Sequence, residues 1–236
     1  MNGTALITGG AKRVGKQIAL YLADQGYNIA LHYNTSTSEA NETRKEILQK
    51  SKKCEVFQYD LRDEKNISQL INDVTKQFSD LNILLNNASV FKESSFTDTS
   101  PDFFNEMFLI NFKVPFFLTK EFARHAKKGN IINFLDTRIS KNKSKYFIYT
   151  LTKKILEDFT KMAALELAPS IRVNAIAPGF VLPPDNCDKD FFEQFKDKLP
   201  LKKSCNIKDL FNAISYMLHT SSITGQTLFL DGGESL

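Results

Sequence analysis

Short apolar, β-branched runs alternate along the chain with longer stretches in which apolar residues recur at helical spacing. The runs are Thr4–Thr8, Asn28–Tyr33, Glu55–Tyr59, Leu81–Asn86, Asn130–Leu135, Arg172–Ile176 and Thr227–Leu230. Gly15–Gln25, Glu39–Lys50, Asn66–Phe78 and Ile148–Leu167 carry the helical pattern, as does the long stretch Asp102–Ala126. Segments such as Asn82–Leu85 are apolar almost throughout, as expected of strands covered on both faces. The alternation predicts an α/β fold: a single-domain, Rossmann-type, doubly wound parallel sheet of about seven strands with helices on both faces. No linker, repeat or low-complexity tract divides residues 1–236. In such a fold, right-handed crossovers bring ligands to the carboxyl ends of the strands.

Composition narrows the function classes. The 31 basic and 27 acidic residues give a net charge of +4, interleaved rather than clustered, so no nucleic-acid-binding face is expected. Cys54, Cys187 and Cys205, with His32, His125 and His219, show no metal-ligand spacing, and no metal site is expected. The apolar stretch Phe103–Thr119 is broken by Asn105, Glu106, Asn111 and Lys113, which argues against a membrane span. A strand begins by Thr4, which leaves no room for a secretory leader, so a cytoplasmic protein is expected.

The chemistry starts at the end of the first strand. Thr8-Gly9-Gly10-Ala11-Lys12-Arg13-Val14-Gly15 leads into a helical pattern. Glycines allow a tight turn and close approach to a pyrophosphate, and the helix N-terminus beyond offers free N–H groups. Near the end of the second strand, His32-Tyr33-Asn34-Thr35-Ser36 lacks the carboxylate that holds a ribose 2′-hydroxyl in NAD sites. Lys12 and Arg13 lie in the neighbouring turn, and a guanidinium suits a 2′-phosphate. NADPH is therefore the expected cofactor. Further along, Tyr149 and Lys153 stand four apart in a helical pattern, on one face. A phenol is a weak acid at neutral pH, and a neighbouring ammonium is expected to bring it toward its working range.

These motifs, in this order, resemble the short-chain dehydrogenase/reductase family. The glycine turn is similar to its TGxxxGxG motif, with Arg13 in place of the middle glycine. Asp60-Leu61, Asn86-Asn87-Ala88-Ser89, Asn111, Tyr149-x-x-x-Lys153, Pro178-Gly179 and Asp231-Gly232-Gly233 extend the resemblance over the whole chain. It implies that Gly9, Arg13, Val14, Gly15, His32, Tyr33, Asn34 and Ser36 hold the cofactor. It further implies that Asp60 and the Leu61 N–H meet adenine, Asn87, Ala88 and Ser89 line the ribose, and Pro178 and Gly179 border the nicotinamide. Tyr149 and Lys153 complete that set, Asn111 positions a water linking Lys153 to solvent, and Asn86 ties strands together. The resemblance also implies a substrate lid over residues 180–205, including Pro183-Pro184 and a short helix Lys189–Lys198, and a homotetramer built through the long helices.

One departure bears on the substrate. Thirteen positions before Tyr149, where the family places a serine, stands Asp136. A carboxylate opposes an oxyanion developing from a ketone, but accepts hydrogen bonds from N–H groups. The other reading of Asp136 is a turn cap, with Ser140 acting in its stead. Arg13, His32-Tyr33, Glu39-Ala40, Asn87 through Phe91, and Asp136 together resemble the pteridine reductase branch, bacterial dihydromonapterin reductases included. Thr35 departs from an arginine that some of that branch carry there. That resemblance implies a planar pterin-like substrate in contact with Ser89, Phe91, Asp136 and Tyr149, with Phe91 stacking on the ring. For Phe91 ordinary core packing is a rival reading, since the chain has 20 phenylalanines. For the chain as a whole the rivals are a 3-oxoacyl-carrier-protein or general carbonyl reductase, and a non-catalytic NADP(H) sensor.

Overall fold

A computed structural model of the chain describes residues 2–50, 53–182 and 189–236. Its centre is a seven-stranded, all-parallel sheet: β1 (Thr4–Ile7), β2 (Asn28–Tyr33), β3 (Cys54–Gln58), β4 (Leu81–Asn86), β5 (Gly129–Phe134), β6 (Ile171–Pro178) and β7 (Thr227–Leu230). The strands lie in the order β3-β2-β1-β4-β5-β6-β7. The order reverses direction between β1 and β4, the point where a parallel sheet opens a crevice.

Period-two alternation sorts the core. On β1, Ala5 and Ile7 face one layer and Leu6 the other, and all three are buried. The first layer holds α1 (Arg13–Asp24), α2 (Thr37–Leu48) and α8 (Ile207–His219), which contribute Ile18, Leu22, Ile47, Leu210 and Ile214. The second holds α3 (Glu64–Gln77), α5 (Val114–His125) and α6 (Phe147–Leu167), with Leu70, Val74, Leu118, Phe122 and Ala164. Helix starts follow their caps. Asp63 accepts from the Lys65 N–H, Ser100 from the Phe103 N–H ahead of α4 (Pro101–Phe108), and Asn206 forms a reciprocal capping box with Asp209. A short helix α7 (Lys189–Lys198) precedes α8, which periodicity had not singled out.

Two sequence expectations need correction. The stretch read as one long helix, Asp102–Ala126, is α4 and α5 joined by a π-helical turn, Leu109–Lys113. The backbone stays helical through this turn, and Pro115 explains the local change in hydrogen bonding: it has no N–H to donate to the Asn111 carbonyl, and its ring crowds that carbonyl. The sixth strand runs past Ile176 to Pro178, paired with β7 throughout that extension, so it carries the chain directly to the site. Of the expected lid, Pro183, Pro184 and Cys187 lie outside the described residues.

Candidate active site

Strand ends and the turns that follow them build the site. The β1–α1 turn closes through backbone: the Gly10 N–H donates to His32 O at 2.9 Å, and the Gly9 N–H to His32 Nδ1 at 3.2 Å. With Nδ1 accepting, the other ring nitrogen donates to Tyr59 O at 3.0 Å. Burial pulls the His32 pKa down to about 4, so the ring stays neutral and braces the turn rather than supplying charge. Gly9 has φ +63°, and a Cβ on Gly15 would stand 2.2 Å from the Gly9 carbonyl. Arg13 takes φ 51° where a glycine would be relaxed, at a cost of about 1 kcal/mol. No side chain caps α1, so its first N–H groups face the cleft.

From β4, Asn87 Nδ2 donates to Thr8 O and Gly9 O at 2.9 and 3.1 Å, while Thr8 Oγ1 accepts from the N–H groups of Asn87 and Ala88. These bonds lock the two sides of the crevice together. The resulting cavity, about 440 Å³, is lined by Gly9, Lys12, Arg13, Val14, Gly15, His32, Tyr33, Asn34, Thr35, Ser36, Asn87, Ala88 and Ser89, with no carboxylate among them. A second cavity of about 380 Å³ shares His32, Asn34, Ala88 and Ser89 and extends to Asp60, Leu61, Arg62 and Ile110. Asp60, expected to meet adenine, bonds here to the Arg62 guanidinium, with Oδ2 at 2.6 Å from Nη2, which holds its pKa below the usual carboxylate value. The glycine cradle, the uncapped helix start and the cationic, carboxylate-free wall fit a dinucleotide carrying a 2′-phosphate.

A third cavity, about 330 Å³, joins the first through Arg13, Val14, Asn87 and Ser89. Phe91, Asp136, Arg138, Tyr149, Lys153, Pro178, Gly179 and residues 180–182 line it. Tyr149 and Lys153 project from α6 onto the end of β5. Tyr149 Oη donates to Asp136 Oδ2 at 3.0 Å, and Lys153 Nζ donates to Phe134 O at 2.7 Å. A buried ladder fixes this helix: Asn86 Nδ2 to Asn133 Oδ1 at 2.8 Å, then Asn133 Nδ2 to Thr160 Oγ1 at 2.9 Å. Thr137 Oγ1 donates to Asp231 Oδ2 at 2.7 Å, so the closing Asp-Gly-Gly turn anchors the loop that carries Asp136.

Electrostatics here runs against one expectation. Tyr149 is held well above the ordinary phenol value, first by burial and then by the charge and hydrogen bond of Asp136, with Arg138 pulling the other way. Burial lowers Lys153 to about 8, against the opposing pull of Asp136. The ammonium therefore does not bring the phenol toward neutrality in this arrangement, because the carboxylate is its direct partner and Lys153 bonds the backbone. Asp136 also caps the 3-10 turn Thr137–Ser140, as the turn-cap reading expects, while its other oxygen holds Tyr149. Ser140 donates to Thr137 O and is absent from the cavity wall.

Asn111, fully buried in the π-helical turn, accepts from the Val90 N–H at 2.8 Å and Ser89 Oγ at 3.0 Å, and donates to Val90 O at 2.9 Å. It clamps the Ser89–Val90 segment that separates the two halves of the cleft. Phe91 is 48% exposed, which removes the core-packing reading for it. Its ring stacks on Tyr146 at 4.2 Å and meets Tyr149 edge-on at 4.7 Å. Sequence reasoning missed Arg138 and Tyr146. The signal available was position alone: two residues after Asp136 and three before Tyr149.

Comparison with known proteins agrees with this geometry. Residues 9–235 match the family profile described as Enoyl-(Acyl carrier protein) reductase, and the chain belongs to the short-chain dehydrogenase/reductase family, whose members use NAD(P)H. It is 30% identical to the 3-oxoacyl-(acyl-carrier-protein) reductase FabG of Staphylococcus epidermidis over 242 residues, covering 99% of each chain. It is also 30% identical to a diacetyl reductase of the (S)-acetoin-forming type from the same species, covering 99% of this chain and 98% of the relative. Among solved structures it is similar to FolM alternative dihydrofolate reductase 1 from Brucella suis, a complex with NADP. The TM-score is 0.94 at 33% identity, covering 99% of this chain and 95% of that one. Among the described residues no helix is long and apolar enough to cross a membrane, and no cluster of His, Cys, Asp or Glu has a metal-holding arrangement. Cys54 and Cys205 are buried thiols, each pushed up to about 12 by burial.

Proposed function

We propose that this chain is an NADPH-dependent reductase acting on a planar nitrogen heterocycle, a dihydropterin-type C=N bond. The observation that carries the reading is the hydrogen bond from Tyr149 to Asp136, which puts a carboxylate where a ketone reductase of this family would carry a hydroxyl. NADPH, when bound, supplies the hydride. Lys12, Arg13 and Ser36 hold the 2′-phosphate, Asp60 and the Leu61 N–H meet adenine, and Pro178 with Gly179 borders the nicotinamide. Lys153 meets the ribose beside it, and Asn111 positions the water that refills the proton path.

Tyr149 delivers the proton to the ring nitrogen. The phenol is protonated at neutral pH, the form a donor needs, and its raised pKa makes it a weak acid until negative charge develops opposite it. Asp136 accepts hydrogen bonds from substrate N–H groups, an arrangement that favours an amidine-like edge over a bare carbonyl. The half-exposed Phe91 ring offers a flat apolar face to the substrate. Ser89 borders both the cofactor and the substrate cavities. The similarity to a FolM structure in complex with NADP supports both cofactor and substrate class.

A 3-oxoacyl or general carbonyl reductase is the second reading, favoured by the relatives at 30% identity. A non-catalytic NADP(H) sensor is the third, and the paired Tyr149 and Lys153 weigh against it. The proposal includes a cytoplasmic homotetramer assembled through α5 and α6, whose outward faces leave Met162 72% and Leu165 84% exposed. A spectrophotometric screen of NADPH oxidation against dihydropterins, quinones and β-ketoacyl esters tests the reading. Turnover of dihydropterins well above the others is expected; preference for the β-ketoacyl ester would overturn it, and no turnover of any acceptor would favour the sensor.

A further inference from the structure

Beside the Tyr149–Asp136 pair stands a cation to which the reaction above gives no part. Arg138 Nη1 lies 3.1 Å from both Asp136 oxygens, and the Arg138 N–H donates to Oδ1 at 2.9 Å. Tyr149 Oη takes the remaining side of Oδ2. The guanidinium carbon sits 5.2 Å from the centre of the Phe91 ring and 5.1 Å from that of Tyr146, the two rings that stack on each other. One side chain thus binds the carboxylate, packs against the aromatic wall and lines the substrate cavity. Side-chain exposure is 25% for Arg138 and 14% for Asp136, so water screens the pair only in part.

The chemistry gives this cation a task. A lone carboxylate next to the reacting atoms repels negative charge as it develops there. A guanidinium at ion-pair distance offsets that repulsion; with the Arg138 donors and Tyr149 Oη already on the carboxylate, a substrate N–H is accepted at Oδ2 in exchange for the Tyr149 hydroxyl. Arginine can do this while lying against ring faces, and lysine supplies the charge without the planar fork.

We propose that Arg138 is a positioning residue: its ion pair fixes the Asp136 carboxylate against Tyr149 and offsets its charge, so that Asp136 can receive substrate N–H groups beside the reacting centre. This rests on the reading of Asp136 as a substrate-binding group. The other charged or titratable groups around the pair are Tyr149 and Lys153 from α6, Tyr146 against the guanidinium, and Glu93 near Tyr146.

A double-mutant cycle tests it. Arg138→Met and Arg138→Lys are placed in wild-type and Asp136→Asn backgrounds. Binding of a fully oxidised 2-amino-4-oxopteridine and of NADPH is read by fluorescence quenching, alongside kcat and KM for a dihydropterin. In the wild-type background Arg138→Met is expected to weaken pteridine binding and lower kcat, each by about 10-fold, with NADPH affinity held within about twofold. Arg138→Lys recovers part of the loss. In the Asp136→Asn background Arg138→Met changes pteridine binding by less than about twofold, because its partner is gone. Equal losses in both backgrounds, or loss of NADPH affinity in parallel, overturn the proposal. A wild-type enzyme that reduces no dihydropterin overturns the substrate reading instead. The same cycle, read with the ketone or quinone it does reduce, then returns non-additivity if Arg138 acts through Asp136 and additivity if it does not.

Discussion

The two halves of the cleft are built on different principles. The cofactor half is made of strand ends and backbone: Gly9, Gly10 and Gly15 permit the turn, a neutral His32 braces it, and Thr8 and Asn87 tie β1 to β4. The half proposed for the substrate draws its distinctive side chains from loops, beside Tyr149 and Lys153 of α6: Asp136 and Arg138 on a 3-10 turn, Phe91 after β4, and residues 180–182 after β6. Backbone sites tolerate little change in residue type, because a Cβ or a lost N–H cannot be repacked away. Loop side chains set which substrate is taken and vary more freely. Relatives named for acyl-carrier, diacetyl and dihydrofolate reduction all align along nearly the full length of this chain, as expected if the scaffold is shared and the substrate half differs.

The largest effect that would sharpen this contrast comes from Tyr149→Phe. Removing the proton donor should lower kcat by about 1,000-fold while NADPH affinity, read by fluorescence, stays nearly unchanged. Parallel loss of cofactor binding would place Tyr149 in the other half. Gly15→Ala should do the converse. Its Cβ meets the Gly9 carbonyl, and NADPH binding should weaken by about 100-fold in titration calorimetry while the protein still folds.

The cofactor half should also carry an acid sensitivity. His32, with a folded pKa of about 4 against 6.5 when unfolded, binds a proton more readily in the unfolded chain. Its contribution is therefore fully present above pH 6.5 and is lost as pH falls from 6.5 toward 4. Urea unfolding at pH 7 and pH 4.5 should show about 2–3 kcal/mol of this loss in the wild type, and that portion should be absent in His32→Gln. Equal slopes in the two proteins would contradict the assignment of a neutral, buried ring.

The same contrast explains what could be read from the sequence. The parallel sheet, the glycine turn and the Tyr149/Lys153 spacing were legible because periodicity and backbone constraints write them locally. The π-helical turn needed Pro115 to be weighed against an otherwise continuous helical pattern, and α8 was passed over between shorter signals. Arg138 and Tyr146 gave no local signal beyond their positions near Asp136 and Tyr149. Their roles arise only where the Asp136 loop folds over Phe91, a contact between segments far apart in the chain. The direction of the Tyr149 shift was misjudged for the same reason: its partner in space is the carboxylate, whereas the spacing in sequence pointed to the lysine.

The most direct test of the account is the ratio of kcat/KM for a dihydropterin to that for a β-ketoacyl ester, measured in wild type and in Asp136→Ser. The account predicts a wild-type ratio in favour of the dihydropterin that falls by about 10-fold or more in the variant, with dihydropterin turnover dropping and ketone turnover rising. A ratio unchanged by the substitution would contradict it.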